Sequence, residues 1–315
     1  MATMKAVRIY QFGGPDVLRY EDAPRPEPAS GEVLIRVHAA GTNPVDWKTR
    51  AGQGVARRMP IRFPFIPGWD VSGMVEGSGN GGIPYQLGDA VYGMVRVPEP
   101  GAAYAEYVTA PAGHVVPKPL SLSHVEAAAL PLVALTAWQA LFEEAELEAG
   151  QTILIHAAAG GVGHIAVQLA KWKGATVIGT ASGRNGDFLR DLGVDWFVNY
   201  ETTRFEDVVS GVDAVLDPVA GETRERSWPV IRPGGVLVSI QGDVSEEQAA
   251  AYGVRARRML VRPDADQLRE ISRLVDAGHV RPMVSAVLSL AEARKAHEML
   301  ETGHTRGKIV LRVAE

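Results

Sequence analysis

The sequence contains no cysteine. That excludes a disulfide framework, a thiolate nucleophile, an iron–sulfur cluster and any cysteine-ligated zinc. Cysteine usage leaves the redox compartment open, and nothing else points outside the cytosol. Long apolar runs are also lacking. The longest, residues 127–138, is interrupted by Pro131 and falls short of the ~20 residues that a membrane-spanning helix needs. Residues 1–10 carry no apolar signal core and read as the start of a strand. A soluble, cytoplasmic protein without a membrane partner is the expectation. Positive charge is in deficit, with 32 basic against 37 acidic residues and a net charge of −5. A generic binder of nucleic acid or of anionic membranes is therefore not expected. The small basic run Arg255, Arg257 and Arg258 lacks interleaved stacking aromatics.

What is present is ordinary globular composition: 315 residues, 46% hydrophobic and 22% charged. Length suggests two domains at roughly 150 residues each. Two textures follow one another. Up to about Pro119 the chain consists of short extended segments cut by glycine and proline, a β-rich pattern. From Ser121 strand-like and helix-like runs alternate. Ser123 followed by Glu126 has the form of a capping box. Val162, Ile165, Ala166, Leu169 and Ala170 form one apolar helix face. Repeated βα units imply a parallel sheet covered on both faces. A last helix over about 264–276 ends at Gly278, after which β texture returns. The spacing predicts a β-rich domain made of residues 1–119 and 278–315, with a βα domain over 120–277 inserted in it.

Strand 152–156 runs into Ala157, Ala158, Ala159, Gly160, Gly161, Val162 and Gly163, and then into the amphipathic helix. This is a G-x-G-x-x-G pattern with Ala158 at the first glycine position. The second glycine lets backbone approach a pyrophosphate, the third allows close helix–strand packing, and the helix N-terminus favours negative charge. Strand-before and helix-after is the context that lifts the motif above a bare glycine turn. Ala159, Gly160, Gly161 and Val162 are thus candidate cofactor contacts. An acid about 20 residues on would bond the ribose of NAD. No acid stands in residues 179–185, the first being Asp187. Ser182 and Arg184 stand there instead, and a guanidinium suits a phosphate. The expectation is NADP(H), with Ser182 and Arg184 at the 2′-phosphate. Arg184 as a solvated cation at a helix start is the alternative. Tyr200 either packs on the adenosine side or belongs to the core. Pro218 and Val219 follow the fourth strand and Gln241 the fifth, on the crevice where open α/β sheets bind ligands. His156 reads as a satisfied core histidine.

The order of Gly41-Thr42-Asn43-Pro44-Val45-Asp46, Gly88-Asp89-Ala90-Val91-Tyr92-Gly93, Leu130-Pro131, Leu135-Thr136-Ala137-Trp138, the glycine loop and Gly307-Lys308-Ile309-Val310 resembles the medium-chain dehydrogenase/reductases. Within them it is similar to the zinc-independent, zeta-crystallin-like quinone oxidoreductases. The resemblance covers essentially the whole chain. It implies an α/β fold: a GroES-like β-rich domain built from both chain ends, plus a Rossmann domain with a doubly wound parallel sheet. It implies reduction, by NADPH, of a quinone or an α,β-unsaturated carbonyl, and a homodimer paired through the strand near Arg255–Arg258. Zinc-dependent relatives carry a cysteine after the strand ending at Ala40 and a His-Glu pair after a glycine near position 68. This chain has Gly68, Trp69 and Asp70, and no metal is expected, since a catalytic zinc needs about three protein ligands.

By the same resemblance Asn43 lies at the nicotinamide and the substrate carbonyl, and Thr136 at the nicotinamide end. Asn43 has a turn role before Pro44 as its alternative. Asp46 either orients its neighbours or serves as a helix N-terminal carboxylate. Lys48 stands where such quinone oxidoreductases often have tyrosine. It either stabilises an enolate or supplies a proton, or it is simply solvated. Trp47, Phe63, Phe65 and Trp69 either wall a flat apolar pocket or fill the core. Lys308 either approaches the phosphates or is solvated. Two other functions remain open on the sequence: a non-enzymatic NADPH-binding structural or redox-sensor protein, and an enoyl-thioester reductase.

Overall fold

A computed structural model describes residues 2–314. Its packing forms two units. The first holds the described residues up to Leu135, then Arg262–Gly278, then Pro282 onward; the second holds Thr136–Val261 and His279–Arg281.

The first unit is built on a seven-stranded sheet. Its spine is strand Glu32–Gly41, where Val33, Ile35 and Val37 alternate into the core and Arg36 faces out. They meet Val71, Val75, Val91, Val108, Ile309 and Leu311 from neighbouring strands. The late strand Lys308–Arg312 pairs antiparallel with the spine at Ala39, Ala40 and Gly41, and Asp70–Ser78 pairs on its other side. The returning β texture of the tail thus completes the sheet begun near the start. Gly41 is fixed by close approach, because a Cβ there would lie 2.1 Å from the Ala128 carbonyl oxygen. Helix Pro44–Arg50 begins immediately after, with proline in its first turn.

Residues 120–135 and 262–278 belong to this first unit through specific bonds. The Asp276 carboxylate accepts from the N–H groups of Leu120 and Ser121. The Tyr92 hydroxyl donates to the Leu268 carbonyl at 3.1 Å and lies 2.8 Å from Ser272 Oγ. Helix His124–Ala128 carries the expected cap, with Ser123 Oγ accepting from Glu126 N–H and Glu126 accepting from Ser123 N–H.

The second unit is a six-stranded sheet. Its strands in spatial order are Trp196–Asn199, Thr176–Ala181, Thr152–Ile155, Val212–Asp217, Ile231–Ser239 and Arg255–Arg258, all pairs parallel. The order reverses beside Thr152–Ile155, which is the doubly wound arrangement. Helix Gly161–Lys173 buries Ile165, Ala166, Leu169 and Ala170 and stops at Gly174, whose φ is +91°. Arg255–Arg258 forms one edge of the sheet. Among the described residues no helix is long and apolar enough to cross a membrane.

Candidate cofactor and catalytic site

In the second unit the first strand ends in a tight backbone turn. The His156 N–H bonds to the Leu216 carbonyl on one side, and the Ala158 N–H to the Thr180 carbonyl on the other. Ala157 takes a left-handed φ of +46°. The two motif glycines then differ. A Cβ on Gly163 would lie 2.3 Å from the Ala157 oxygen and 2.7 Å from Ala158 Cα, so the helix can lie against the strand only with glycine there. A Cβ on Gly160 would meet only the Ala157 oxygen, at 3.2 Å. Gly160 is therefore not explained by packing to the same degree. Next to it Gly161 and Val162 open a thirteen-residue helix, and first-turn N–H groups have no partner within a helix. Bare glycine, free amides and a positive dipole end together form an anion cradle.

The end of the second strand carries Ser182, buried, whose Oγ accepts from Asn185 Nδ2 at 2.9 Å. Arg184 is exposed. Tyr200 is 53% exposed, so it is not a core aromatic. Glu201, which the linear spacing did not single out, places its carboxylate on the Gly183 N–H at 2.9 Å.

The fourth and fifth strand ends are tied by a pair that sequence reading missed. Asp217 Oδ1 accepts from the N–H groups of Val219 and Ala220, and Arg224 Nε donates to Asp217 Oδ2 at 2.7 Å. The same guanidinium bonds Ser239 Oγ at 2.6 Å and the carbonyls of Gln241 and Asp243. Pro218, Val219 and Gln241 thus sit on loops locked by one buried ion pair. The Gln241 amide reaches the Val219 carbonyl at 3.4 Å. Thr136 is buried on helix Pro131–Trp138. His156 is buried, with Thr180 Oγ1 at 3.0 Å and Ser227 Oγ at 2.9 Å. Burial pushes its pKa down to about 4, so it is a neutral core residue, as expected.

In the first unit two of the three residues singled out as catalytic, Asn43 and Asp46, lie in a buried polar cluster, and Lys48 is not among its members. Asn43 donates its backbone N–H to Asp46 Oδ2 at 2.7 Å and its side-chain Nδ2 to Asp70 Oδ2 at 2.8 Å. The Tyr104 hydroxyl donates to Asp46 Oδ2 at 2.6 Å. Asp46 Oδ1 is buried with no hydrogen-bond partner. Burial pushes the Asp46 carboxyl up to about 7, against the pull of Tyr104, the Asn43 amide and Lys308. Both readings of Asp46 describe one arrangement: it is the carboxylate at the start of helix Pro44–Arg50, and it orients Asn43.

Lys308 requires a correction. The sequence offered phosphate contact or solvation. Instead its side chain is 3% exposed, and its ammonium donates to the Thr42 carbonyl at 2.6 Å and to Asn43 Oδ1 and lies 3.6 Å from Asp70 Oδ2. Asp70 also accepts from Leu132 N–H at 2.8 Å. Burial pushes the Asp70 carboxyl up and the Lys308 ammonium down, and each charge opposes the shift of the other. Lys308 and Asp70 thus grip the Asn43 amide from its two ends. Lys48 is half-buried, 5.7 Å from the Trp47 ring centre, and burial lowers its pKa. Phe65 and Trp69 are core residues, which removes them from the candidate pocket wall. Phe63 is exposed and packs edge-on against Phe12.

Residues 29–120 match the alcohol dehydrogenase GroES-like domain, and residues 192–311 match a domain described as zinc-binding dehydrogenase. The chain is 41% identical to the quinone oxidoreductase of Coxiella burnetii, with a TM-score of 0.94 over 99% of this chain and 100% of that one. A mycobacterial protein, Rv1454c, solved in complex with NADPH, is 31% identical, with a TM-score of 0.89 over 98% and 100% of the two chains. The NADPH-dependent alkenal/one oxidoreductase of Arabidopsis thaliana, a chloroplastic protein, is 33% identical over 98% of this chain and 79% of its own length.

Proposed function

The chain belongs to the zinc-independent medium-chain dehydrogenase/reductases of the quinone oxidoreductase type, and from that membership we propose an NADPH-dependent oxidoreductase acting on a quinone or an α,β-unsaturated carbonyl. One observation carries the coenzyme assignment. A Cβ on Gly160 would meet a single backbone oxygen, at 3.2 Å, beside the amides that begin helix Gly161–Lys173, whereas one on Gly163 would lie 2.3 Å from backbone.

The backbone of Ala159, Gly160, Gly161 and Val162 would hold the diphosphate. Ser182 and Arg184 would hold the 2′-phosphate, with Tyr200 on the adenosine. Pro218, Val219, Gln241 and Thr136 would line the path toward the nicotinamide ribose. When bound, the coenzyme supplies the hydride. Quinones and enones carry their own activating carbonyl, so the protein need only steady developing negative charge on oxygen. Asn43 is the donor assigned to that oxygen, with Asp46 holding its backbone and Lys308 and Asp70 its amide. Lys48 carries either the positive charge or the proton, and its lowered pKa suits a group that releases a proton.

The residues do not fit the zinc that one domain description names. Among the described residues no three histidine, aspartate or glutamate side chains gather as a metal site. Asp70 already accepts from Asn43 and Leu132 and faces the Lys308 ammonium. A cation belonging to the protein occupies the neighbourhood of that carboxylate.

The test is loss of reduced-nicotinamide absorbance on adding a panel of quinones, enones and an enoyl thioester. Turnover with quinones or enones is expected. Turnover confined to the thioester would favour an enoyl-thioester reductase, and coenzyme binding without turnover a sensor or structural role. A homodimer paired through edge strand Arg255–Arg258 and a cytoplasmic setting are part of the proposal. Sedimentation giving a single-chain mass would remove the dimer.

A further inference from the structure

An acid reaches the adenosine end of the candidate coenzyme site from a different strand than the one linear spacing inspects. Residues 179–185 hold no carboxylate. Strand Trp196–Asn199 runs parallel to Thr176–Ala181, however, with Asn199 opposite Ala181. The chain turns just beyond it, where the Glu201 N–H bonds to Asn199 Oδ1 at 3.1 Å. From that turn Glu201 Oε2 accepts the Gly183 N–H at 2.9 Å. The approach is close. A Cβ on Gly183 would lie 2.8 Å from Asn199 Nδ2 and 3.6 Å from Glu201 Oε2. A negative group therefore stands on the backbone donor between Ser182 and Arg184, the two residues assigned above to the 2′-phosphate.

We propose that Glu201 is a second determinant of coenzyme choice, opposed to Arg184, and that it narrows the preference for NADPH over NADH. The inference rests on the coenzyme reading above. A phosphate monoester carries about −1.5 to −2 charges at neutral pH. Placed between Ser182 and Arg184, it meets the Glu201 carboxylate as a like charge and competes with it for the Gly183 N–H. A ribose hydroxyl has the opposite relation to the same carboxylate, since it can donate to it. That is the part played by the acid at the end of the second strand in NAD-binding sheets. Here the acid arrives from the end of the third. Glu201 is exposed, so solvent screens the repulsion and the effect is moderate and salt-dependent.

The experiment is fluorescence titration of the full chain with NADPH and, separately, with NADH, for wild type, Glu201→Gln, Glu201→Ala and Arg184→Ala. Glu201→Gln keeps an oxygen for the Gly183 N–H and removes the charge. It is expected to tighten NADPH roughly three- to tenfold, with NADH unchanged or weakened, and with the gain shrinking as salt is raised. Glu201→Ala must shift the ratio the same way. Arg184→Ala must shift it the other way. A ratio of affinities that both Glu201 variants leave unmoved, or move toward NADH, overturns the inference while the coenzyme reading stands. Wild type that binds neither coenzyme overturns both.

Discussion

At the residue scale the first unit concentrates its unusual chemistry around Asn43. Lys308 and Asp70 are both buried, and each is the other's compensating charge. Removing one member of a buried pair costs about 3–5 kcal/mol, because the remaining charge is stranded. Lys308→Met is therefore expected to lower the melting temperature sharply in a calorimetric scan. Adding Asp70→Asn to it should recover a large part of the loss. If the double variant melts no higher than the single one, the two charges are not coupled. Asp46 gives a pH prediction. Its carboxyl, at about 7 in the folded chain, lies above the ~3.9 of an unfolded one. The native state thus binds the proton more tightly. The stability this contributes is full below about pH 4 and is lost as pH rises through about 7. The urea midpoint of wild type minus that of Asp46→Asn should fall as pH rises from about 5 to 8, whatever the trend the two share. Parallel slopes would mean that Asp46 is already ionised in the folded chain at acid pH.

At the scale of single elements the two motif glycines separate packing from binding. Gly163→Ala puts a Cβ against the backbone of Ala157 and Ala158, an overpacking expected to cost about 1–3 kcal/mol or more in chemical denaturation. The Cβ of Gly160→Asp meets one backbone oxygen at 3.2 Å, so this variant should lose less stability than Gly163→Ala and yet lose most of its NADPH affinity. Unchanged NADPH affinity in that variant would refute the placement of the diphosphate. The same loop shows what was legible in the sequence. Strand, turn and helix are adjacent in the chain, so the glycines, the Ser123 cap and the helix end at Gly278 could be read locally. The grip on Asn43 could not, since Lys308 lies far along the chain and reaches it only because strand Lys308–Arg312 pairs beside Gly41. A lone lysine after a glycine carries no local sign of that partner. Arg224 and Glu201 escaped notice for a related reason. Arg224 bridges Asp217 to Ser239 on the next strand and Glu201 reaches Gly183 beyond another, and a register between parallel strands cannot be read along the chain.

At the scale of the whole molecule, acid stability is set by histidines. Burial depresses His156 and His124 to about 4 and His297 to about 3. An unfolded histidine titrates near ~6.5, so the stability these groups contribute is present above about pH 6.5 and is lost as pH falls toward 4. Asp46 works in the opposite direction over part of that window, but three displaced groups outweigh one. The net expectation is a urea midpoint that declines steadily from about pH 6.5 downward. A flat profile there would mean that those imidazoles are not held neutral. Saturating coenzyme should raise the melting temperature, since a ligand at 100 times its Kd adds about 2.7 kcal/mol to the native state.

The pairing of Lys308–Arg312 with Glu32–Gly41 also orders events during synthesis. A ribosome completes the six strands of the second unit before it delivers the strand that lies against the spine of the first. The nascent chain must therefore carry Ala39–Gly41 without a partner on that flank while the middle folds, the stretch Glu32–Arg36 being already paired by Tyr107–Pro111. That flank is closed, and the Asn43 amide gripped from its second side, only when Lys308–Arg312 leaves the exit tunnel.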